Sequence, residues 1–391
     1  MNIGQAKRTI ALLGYHLTIF QDNLLFYGGK IIGRFVFPFV IILNYKQYIN
    51  QDSYYPECEL KSPLRILWEQ FLYIFQKGEI NKNYFIFGFD RKSKNDFKEY
   101  VPWLTFTHAR NKNNQLPKEP VYDFNNDVCL VRDKFVFEAC CRSIGINTPL
   151  NIGLINKGKF YSISEKSYKP LESLTELNIS AFCKKNVSYG GGIGRNIFKL
   201  IIKDGVIYIN NELSNLKSLI EIFGNDHWII QHSIKNQAEA YSRFHPHSIN
   251  TTRIVTVQHN GDIEVLCAFF RMGVNGRHAD NWSSGGIIVG IDIDKGIFEK
   301  WGFFKPGNGT KSSYHPNSKL EFEGYELPDW KEMVQYVKKA HSLFYGIHPI
   351  GWDVVVTDDG ITLIEGNDNW ETLFTQFYKG ARSEFEKYFG K

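Results

Sequence analysis

The pattern of apolar and polar residues predicts a helix in the first part of the chain. Ser62 and Pro63 are typical of the first turn of a helix, and Gly78 is typical of the residue that follows the last turn. Between them the apolar residues recur at helical spacing, at Leu64, Leu67, Trp68, Phe71, Leu72 and Phe75. We therefore expect a helix over residues 62–78.

Later in the chain the pattern predicts a mixture of helices and strands. A second helix is expected from Asp133 and Lys134 to about residue 143, and a third begins after Asp329. Runs rich in β-branched and aromatic residues predict strands at residues 179–183, 197–202, 227–232, 248–257, 264–270 and 287–291.

Residues 351–367 have the pattern of a β-hairpin. Two runs rich in valine, isoleucine and threonine flank the sequence Asp-Asp-Gly at 358–360. If these three residues form the loop, Asp353 lies directly opposite Glu365 on the neighbouring strand. Alternation then places Asn367 on the same face as the two acids. The other face would carry Val354, Val356 and Ile364.

The predicted pair of carboxylates indicates a cation site. Like charges directly opposite on adjacent strands repel each other unless a cation or a shared proton lies between them. Mg²⁺ prefers oxygen ligands and is usually bound by one or two carboxylates together with nucleotide phosphates. Asp353, Glu365 and Asn367 are therefore candidate metal ligands. A solvated hairpin face with ordinary acids is the alternative, and this stretch alone does not distinguish the two.

A glycine-rich loop follows the strand predicted at residues 179–183. Lys184 precedes it, and the loop contains Gly190, Gly191, Gly192 and Gly194 before the chain returns in a strand. The order differs from a P-loop, in which the lysine follows the glycines and a helix comes next. The glycines either let backbone N–H groups approach phosphates from a hairpin flap or form a merely flexible hairpin tip.

Arg253 and Arg271 are expected on neighbouring antiparallel strands. Guanidinium groups suit phosphate and carboxylate, so two arginines in this arrangement could bind one anionic group. Each arginine alone would more often be a surface residue.

Charge and cysteine content narrow the class of protein. The formal charge is +5 over 391 residues, and lysine and arginine are spread through the chain, which gives no support for nucleic-acid binding. The six cysteines show no C-x-x-C spacing, which fits a reduced cytoplasm.

The longest apolar stretch, residues 35–43, is too short to cross a bilayer. It contains nine residues and is interrupted by Pro38, whereas a spanning helix needs roughly 20. We expect a buried segment here and no integral membrane protein. Peripheral contact with the inner face of a membrane is the alternative, because Lys30 and Arg34 precede the stretch.

The order of these features along residues 121–391 resembles the ATP-grasp superfamily. The features are Lys134, Lys184, the glycine loop, Arg253, Arg271, Asn281 with Gly285 and Gly286, Asp353 and the run Glu365-Gly366-Asn367. The part from Asn250 to Asn367 is similar to the glutamate-adding peptide ligases. It is still more similar to the sugar-transfer-associated ATP-grasp proteins of polysaccharide gene clusters.

The resemblance implies a role for each candidate residue. Lys134 and Lys184 would contact nucleotide phosphates, the strand at residues 229–231, with Ile230 and Gln231, would border the adenine, and the glycine loop would cover the phosphates. Arg253 and Arg271 would neutralise the γ-phosphate and then an acyl phosphate. Asn281 would assist at the metal or the reacting centre. One or two Mg²⁺ ions would be held by Asp353, Glu365 and Asn367.

The resemblance also implies an α+β ATP-grasp fold in which two lobes sandwich Mg-ATP. The lid lobe is expected at about 148–232 and the core lobe at about 233–391, after a partly helical substrate-side region at 1–120. The implied activity is ligation of a carboxylate to an amine through an acylphosphate, in cell-surface polysaccharide biosynthesis. Amino acids, uronic acids and sugar nucleotides are the expected small-molecule partners. The alternatives are an ATP-dependent phosphotransferase on the same fold and a non-catalytic nucleotide-binding module.

Overall fold

The computed structural model describes residues 3–94, 96–115, 127–187, 197–276 and 280–390, with side chains from residue 22 onward except that of Gln115. The α-helices within these ranges are α1 (Ile3–Leu43), α2 (Tyr45–Ile49), α3 (Pro63–Lys77), α4 (Trp103–Gln115), α5 (Cys129–Arg132), α6 (Lys134–Ser143), α7 (Leu216–Phe223), α8 (Glu239–Ser242), α9 (Trp330–Leu343) and α10 (Arg382–Phe389).

Most strands after residue 150 belong to two antiparallel sheets. The first sheet has the order β3-β2-β1-β8-β4-β5-β6-β7 and the second β13-β12-β11-β10-β9-β14-β15. Their bounds are β1 (Asn151–Asn156), β2 (Lys159–Ser162), β3 (Ser167–Pro170), β4 (Ile179–Lys185), β5 (Ile197–Lys203), β6 (Val206–Ile209), β7 (Glu212–Ser214), β8 (Trp228–His232), β9 (Thr251–His259), β10 (Asp262–Met272), β11 (Ile287–Asp292), β12 (Ile297–Phe304), β13 (Lys311–Ser312), β14 (Pro349–Thr357) and β15 (Gly360–Asn367).

The predicted helices at residues 62–78 and 133–143 are confirmed, and their ends have the expected chemistry. Ser62 accepts a hydrogen bond from the backbone N–H of Arg65 at the start of α3, and Gly78 ends the helix in the left-handed conformation at φ 74°. At the start of α6, the carboxylate of Asp133 accepts from two backbone N–H groups of the first turn. This cap fixes the position of Lys134, the first residue of α6.

The acidic hairpin is confirmed, but its loop is shorter than predicted. Thr357 pairs with Gly360, so only two residues form the turn, and a β-bulge between Asp353 and Val354 then shifts the register by one. The bulge restores the predicted pairing of Asp353 with Glu365.

The predicted position of Ile364 on the valine face is wrong. The extra residue of the bulge turns Ile364 toward the cleft between the sheets, while Leu363 takes its place in the core with Val354 and Val356. The bulge therefore keeps the acids at the cleft while an apolar residue still fills the core.

Residues 35–43 are mostly exposed, contrary to the expectation of a buried segment, and only Ile41 among them is buried. They belong to α1, in which Phe35 is 70% exposed and Phe39 is 68% exposed. By length and composition, Asp22–Leu43 is apolar enough to cross a membrane, a test that core helices of soluble proteins and signal sequences also pass. The uninterrupted apolar run underestimated the length of the apolar helix. Lys30 and Arg34 interrupt the run in sequence, but they lie on the side of the helix that packs against the protein.

The N-terminal region packs against the second sheet and the end of the chain, through α4 and the segment between α3 and α4. One core cluster joins Tyr84 and Phe87 to Phe303 and Phe377, and a second joins Phe106 to Trp370. The helical region is thereby fixed beside the segment that follows β15.

Candidate active site

A cleft of about 620 Å³ lies between the two sheets. Nine of the residues predicted from the sequence line it together: Lys134, Lys184, Gln231, Arg253, Arg271, Asn281, Asp353, Glu365 and Asn367. Gly190, Gly191, Gly192 and Gly194 lie outside the described residues. Residues that are far apart in the sequence thus lie together in one cleft.

Asp353 is the centre of a buried ion-pair cluster. Its Oδ1 accepts a hydrogen bond from Arg253 Nε, and its Oδ2 lies 2.9 Å from Arg271 Nη2. Burial opposes ionisation of this carboxyl, but the two guanidinium groups outweigh burial and hold the pKa of Asp353 well below its usual range. Asp353 is therefore ionised at neutral pH, and the two arginines supply the cations that its pairing with Glu365 requires.

Arg271 has two further partners that the sequence analysis did not identify. Its Nε donates to Thr251 Oγ1 at 2.7 Å and lies 3.4 Å from Asp280 Oδ2. The Thr251 hydroxyl in turn donates to Asp280. Burial raises the pKa of Asp280, whereas Arg271 opposes that rise. The guanidinium of Arg271 is consequently clamped between two carboxylates and a hydroxyl.

The sequence held weak signals for both missed residues. Thr251 lies two positions before Arg253 on β9, so the two share a sheet face. Asp280 directly precedes Asn281, which was already a candidate. The sequence did not show that these residues contact Arg271, because that depends on the register between β9 and β10. This register places Thr251 directly opposite Arg271.

Glu365 and Asn367 complete the oxygen-rich wall of the cleft. Asn367 Nδ2 lies 3.3 Å from Glu365 Oε1 and 3.4 Å from the carbonyl oxygen of Gly351. Across the described residues, no three histidine, cysteine or acidic side chains form a group that could hold a metal. Two carboxylates and an amide at Asp353, Glu365 and Asn367 are instead a set that suits Mg²⁺ when phosphate oxygens fill the remaining positions.

Two lysines face this wall. Lys134 lies at the start of α6, where its Nζ is 3.5 Å from the carbonyl of Asn186. Lys184 lies on β4 of the first sheet, and burial lowers its pKa, with Glu365 opposing that effect. Lysines from two elements therefore meet the acids of the second sheet across the cleft.

The cleft lining also contains apolar residues and one unsatisfied acceptor. Gln231 Nε2 lies 3.5 Å from the carbonyl of Pro149, while its buried Oε1 has no hydrogen-bond partner among the described residues. Ile230 is fully buried in the core of the first sheet, so only its backbone can contribute to the cleft. The apolar and aromatic residues that line the cleft are Val131, Pro149, Phe182, Ile197, Ile234, Ile249, Trp282, Ile364, Trp370 and Phe374.

The segment after Asn367 forms another part of the wall. Arg132 binds Asp368 through two nitrogens, with Nε 2.9 Å from Oδ1. The buried Arg110 of α4 donates to the carbonyl of Trp370 and to the side chain of Asn369. Burial lowers the pKa of Arg110 to about 10. The N-terminal helices thus contribute to the site by fixing this segment.

Similar solved structures are remote. An L-amino acid ligase from Bacillus licheniformis is 12% identical with a TM-score of 0.39, over 73% of this chain and 51% of that one. A D-alanine–D-alanine ligase from Bacillus anthracis is 17% identical with a TM-score of 0.36, over 68% and 66%. An N5-carboxyaminoimidazole synthase from Aspergillus clavatus is 10% identical with a TM-score of 0.36, over 62% and 45%. Scores this low do not establish a shared geometry.

This chain spans about half the length of the N5-carboxyaminoimidazole synthases that it matches. No curated protein matches it. The profile of the sugar-transfer associated ATP-grasp family, by contrast, matches residues 115–387, which is well over half of the chain. The fold is α+β, and the chain belongs to the sugar-transfer associated ATP-grasp family.

Proposed function

We propose that this protein is an ATP-dependent ligase that joins a carboxylate to an amine through an acylphosphate. The observation that carries the proposal is the buried Asp353 carboxylate held between Arg253 and Arg271, next to Glu365, in a cleft large enough for a nucleotide. Phosphoryl transfer requires positioning and charge neutralisation more than a protein nucleophile, and this cluster offers both.

The residues of the cleft fit both the base and the phosphates of a nucleotide. The unsatisfied Oε1 of Gln231 is an acceptor of the kind that an adenine amino group needs, and apolar residues line the same cleft. Lys134 and Lys184 are cations suited to the phosphates. Asp353, Glu365 and Asn367 would hold Mg²⁺, which when bound would neutralise and orient the phosphate oxygens.

Arg253 and Arg271 have separate tasks in this proposal. Arg253 holds Asp353 through Nε, and among the described residues no hydrogen bond occupies its terminal nitrogens. These nitrogens are suited to binding the γ-phosphate and the acylphosphate oxygens. Arg271 is oriented from three sides by Asp353, Thr251 and Asp280, so it presents its charge at little entropic cost.

The chemistry balances without a protein nucleophile. A substrate carboxylate oxygen attacks the γ-phosphorus, the bond from that phosphorus to the bridging oxygen breaks, and ADP leaves. The amine then attacks the acyl carbon of the acylphosphate, inorganic phosphate leaves, and the amine loses a proton. Burial raises the pKa of the Cys183 and Cys267 thiols, which fits their exclusion from this chemistry.

The sugar-transfer name of the family supports a sugar, uronic acid or sugar nucleotide as one substrate, with an amino acid or amine as the other, in cell-surface polysaccharide biosynthesis. Other residues of the cleft lining support a substrate of mixed polarity. It combines the aromatic rings of Trp282 and Phe374 with Lys305 and Glu371.

The test is ADP release from Mg-ATP with amino acids, uronic acids and sugar nucleotides, alone and in pairs, with mass analysis of the products. A ligase gives ADP only when both a carboxylate and an amine are present. The mass of its product equals the sum of the two substrate masses less one water. Formation of ADP and a phosphorylated form of a single substrate would show that the protein is a phosphotransferase and would contradict the ligase proposal. Nucleotide binding without turnover on any pair would contradict the proposal in favour of a binding module.

A further inference from the structure

Helix α1 presents a continuous apolar face to solvent. The segment Asp22–Leu43 is 22 residues long, and an 18-residue stretch within it has a mean hydropathy of 1.6 with only 11% of its residues buried. Its exposed residues recur at helical spacing, so they share one side of the helix. They are Leu24, Leu25, Ile31, Ile32, Phe35, Val36, Phe39, Ile42 and Leu43.

The opposite side of α1 is fastened to the protein. Lys30 Nζ donates to Thr105 Oγ1 of α4 at 2.7 Å, and Arg34 Nε donates to the carbonyl of Phe75 in α3 at 2.8 Å. The backbones also approach closely, because a Cβ added at Gly33 would lie 2.4 Å from the carbonyl oxygen of Gly78. The part of α1 around residues 30–34 is therefore held against the body of the protein.

Helix α3, which packs against α1, carries a second exposed apolar stripe. Leu64 is 80% exposed, Trp68 62%, Leu72 38% and Phe75 56%, at the spacing of one helix side. Because α1 and α3 are in contact, we call their exposed apolar residues together the apolar platform. A soluble surface rarely leaves so many large apolar side chains adjacent and uncovered.

A cationic cavity of about 370 Å³ lies beside the platform. It is lined by Lys30, Arg34, Lys77 and Arg382 together with Tyr27 and Ile31 of the platform helix. Lys30, Arg34 and Arg382 donate to uncharged oxygens of the protein, so none of these hydrogen bonds neutralises their charge. Glu79 is the acid whose charge acts on Lys30. The cations therefore outnumber the nearby acid at the edge of the platform.

We propose that the apolar platform and the cationic cavity together bind the surface of an anionic phospholipid bilayer. The platform would enter the interfacial layer with α1 in the membrane plane, and the cavity would hold lipid phosphate groups. The attachment of α1 to α3 and α4 argues against a spanning orientation, which would draw charged residues such as Arg65 and Lys112 into hydrocarbon. The cations favour an anionic bilayer over a second copy of this chain, which carries the same charges. The proposal does not depend on the ligase reaction.

The first test measures flotation of the full chain with liposomes of pure phosphatidylcholine or of phosphatidylcholine with 30% phosphatidylglycerol. We expect binding to the anionic liposomes that falls when salt is raised from 0.1 to 0.5 M. The double variant Phe35→Ser, Phe39→Ser should bind at least about tenfold less, because each serine removes apolar area from the interface. The matched control is Leu213→Ser on β7, at a site 73% exposed on the first sheet, which should bind like the wild type.

The second test addresses the charge. Lys77→Glu should weaken binding to anionic liposomes at least about fivefold and leave the weak binding to phosphatidylcholine unchanged. Lys217→Glu makes the same change at an exposed position of α7 and should have no effect. Thermal unfolding of each variant should match the wild type, since none of these side chains is buried.

Two results would overturn the proposal. One is equal binding to both kinds of liposome. The other is no binding at all, with light scattering that gives a dimer broken by the Phe35→Ser, Phe39→Ser variant, which would assign the platform to a second copy of the chain. Flotation and light scattering require no substrate, so failure of the ligase proposal would leave both readouts intact.

Discussion

Arg271 on β10 donates a hydrogen bond to Asp353 on β14 at 2.9 Å across the intervening strand β9. The Cα atom of Arg253 on β9 is paired with both Phe269 on β10 and Asp353 on β14. Arg253 therefore lies on the strand between Arg271 and Asp353. Three neighbouring strands thereby present one anion and two cations at a single point of the cleft.

Replacement of Asp353 should abolish turnover. Asp353→Asn removes the anion that holds both arginines and one carboxylate of the proposed metal site, so ADP formation should fall at least about 100-fold. The measurement is ADP release with an active substrate pair, or with Mg-ATP alone if no pair is known. Asp359→Asn, on the exposed turn of the same hairpin, is the control and should retain wild-type rates. Unchanged turnover in Asp353→Asn would refute the assignment.

Asp280→Asn should reduce kcat without a comparable loss of nucleotide affinity. The change removes the charge that faces Arg271 at 3.4 Å and leaves the Thr251 hydroxyl a neutral amide oxygen as its acceptor, so Arg271 loses part of its orientation. We expect a decrease of about 10- to 100-fold in kcat. Asp294→Asn, in the exposed turn between β11 and β12, makes the same chemical change away from the cleft. A wild-type kcat in Asp280→Asn would show that Asp280 does not orient Arg271 for catalysis.

Arg110→Met should destabilise the protein. Arg110 is 3% exposed and joins α4 to the carbonyl of Trp370 and the side chain of Asn369. Loss of these charged hydrogen bonds leaves buried acceptors unpaired, which should lower the free energy of unfolding by about 3 kcal/mol. Denaturant titration measures the loss. Arg65→Met removes an exposed i,i+4 ion pair with Glu69 and should cost no more than about 0.5 kcal/mol. Equal costs would contradict this interpretation.

His341 should make the protein sensitive to mild acid. Burial lowers the pKa of His341 to about 4. Its ring lies between the hydroxyl of Thr256 at Nδ1 and the carbonyl of Ile347 at Nε2. Since Thr256 Oγ1 already accepts from Trp352, its hydroxyl can donate to Nδ1, and Nε2–H then donates to Ile347, which requires a neutral ring.

The sign of the effect follows from the two pKa values. The folded-state pKa lies below the unfolded value of about 6.5, so the unfolded chain binds the extra proton in this window, and stability present above pH 6.5 is lost as the pH falls toward 4. Between pH 7.5 and 5 the loss should be about 2 kcal/mol from this residue. Denaturant titrations at both pH values should show a smaller loss in His341→Gln, while His227→Gln at an exposed site keeps the wild-type loss. Parallel losses in all three proteins would exclude the effect.

The sequence by itself determined the local elements and the residue types of the site. The cap at Asp133, the helix end at Gly78 and the hairpin strands depend on neighbours within a few residues, and short-range chemistry is sufficient to predict them. The pairing of Asp353 with Glu365 was correct although the predicted loop was one residue too long, because the bulge compensated for the error. The family resemblance supplied the candidates for the cleft, since their order along the chain is itself informative.

Only the tertiary structure decided which groups neutralise one another and which face remains uncovered. The contact of Arg271 with Asp353 spans a strand and 82 positions of sequence, and the role of Asp280 depends on the register that sets Thr251 opposite Arg271. In the same way, Lys30 and Arg34 interrupt an apolar run in sequence, yet they bind α3 and α4 and leave the other side of α1 apolar. Sequence spacing predicts contacts along one element, but contacts between elements depend on packing that satisfies the whole core at once.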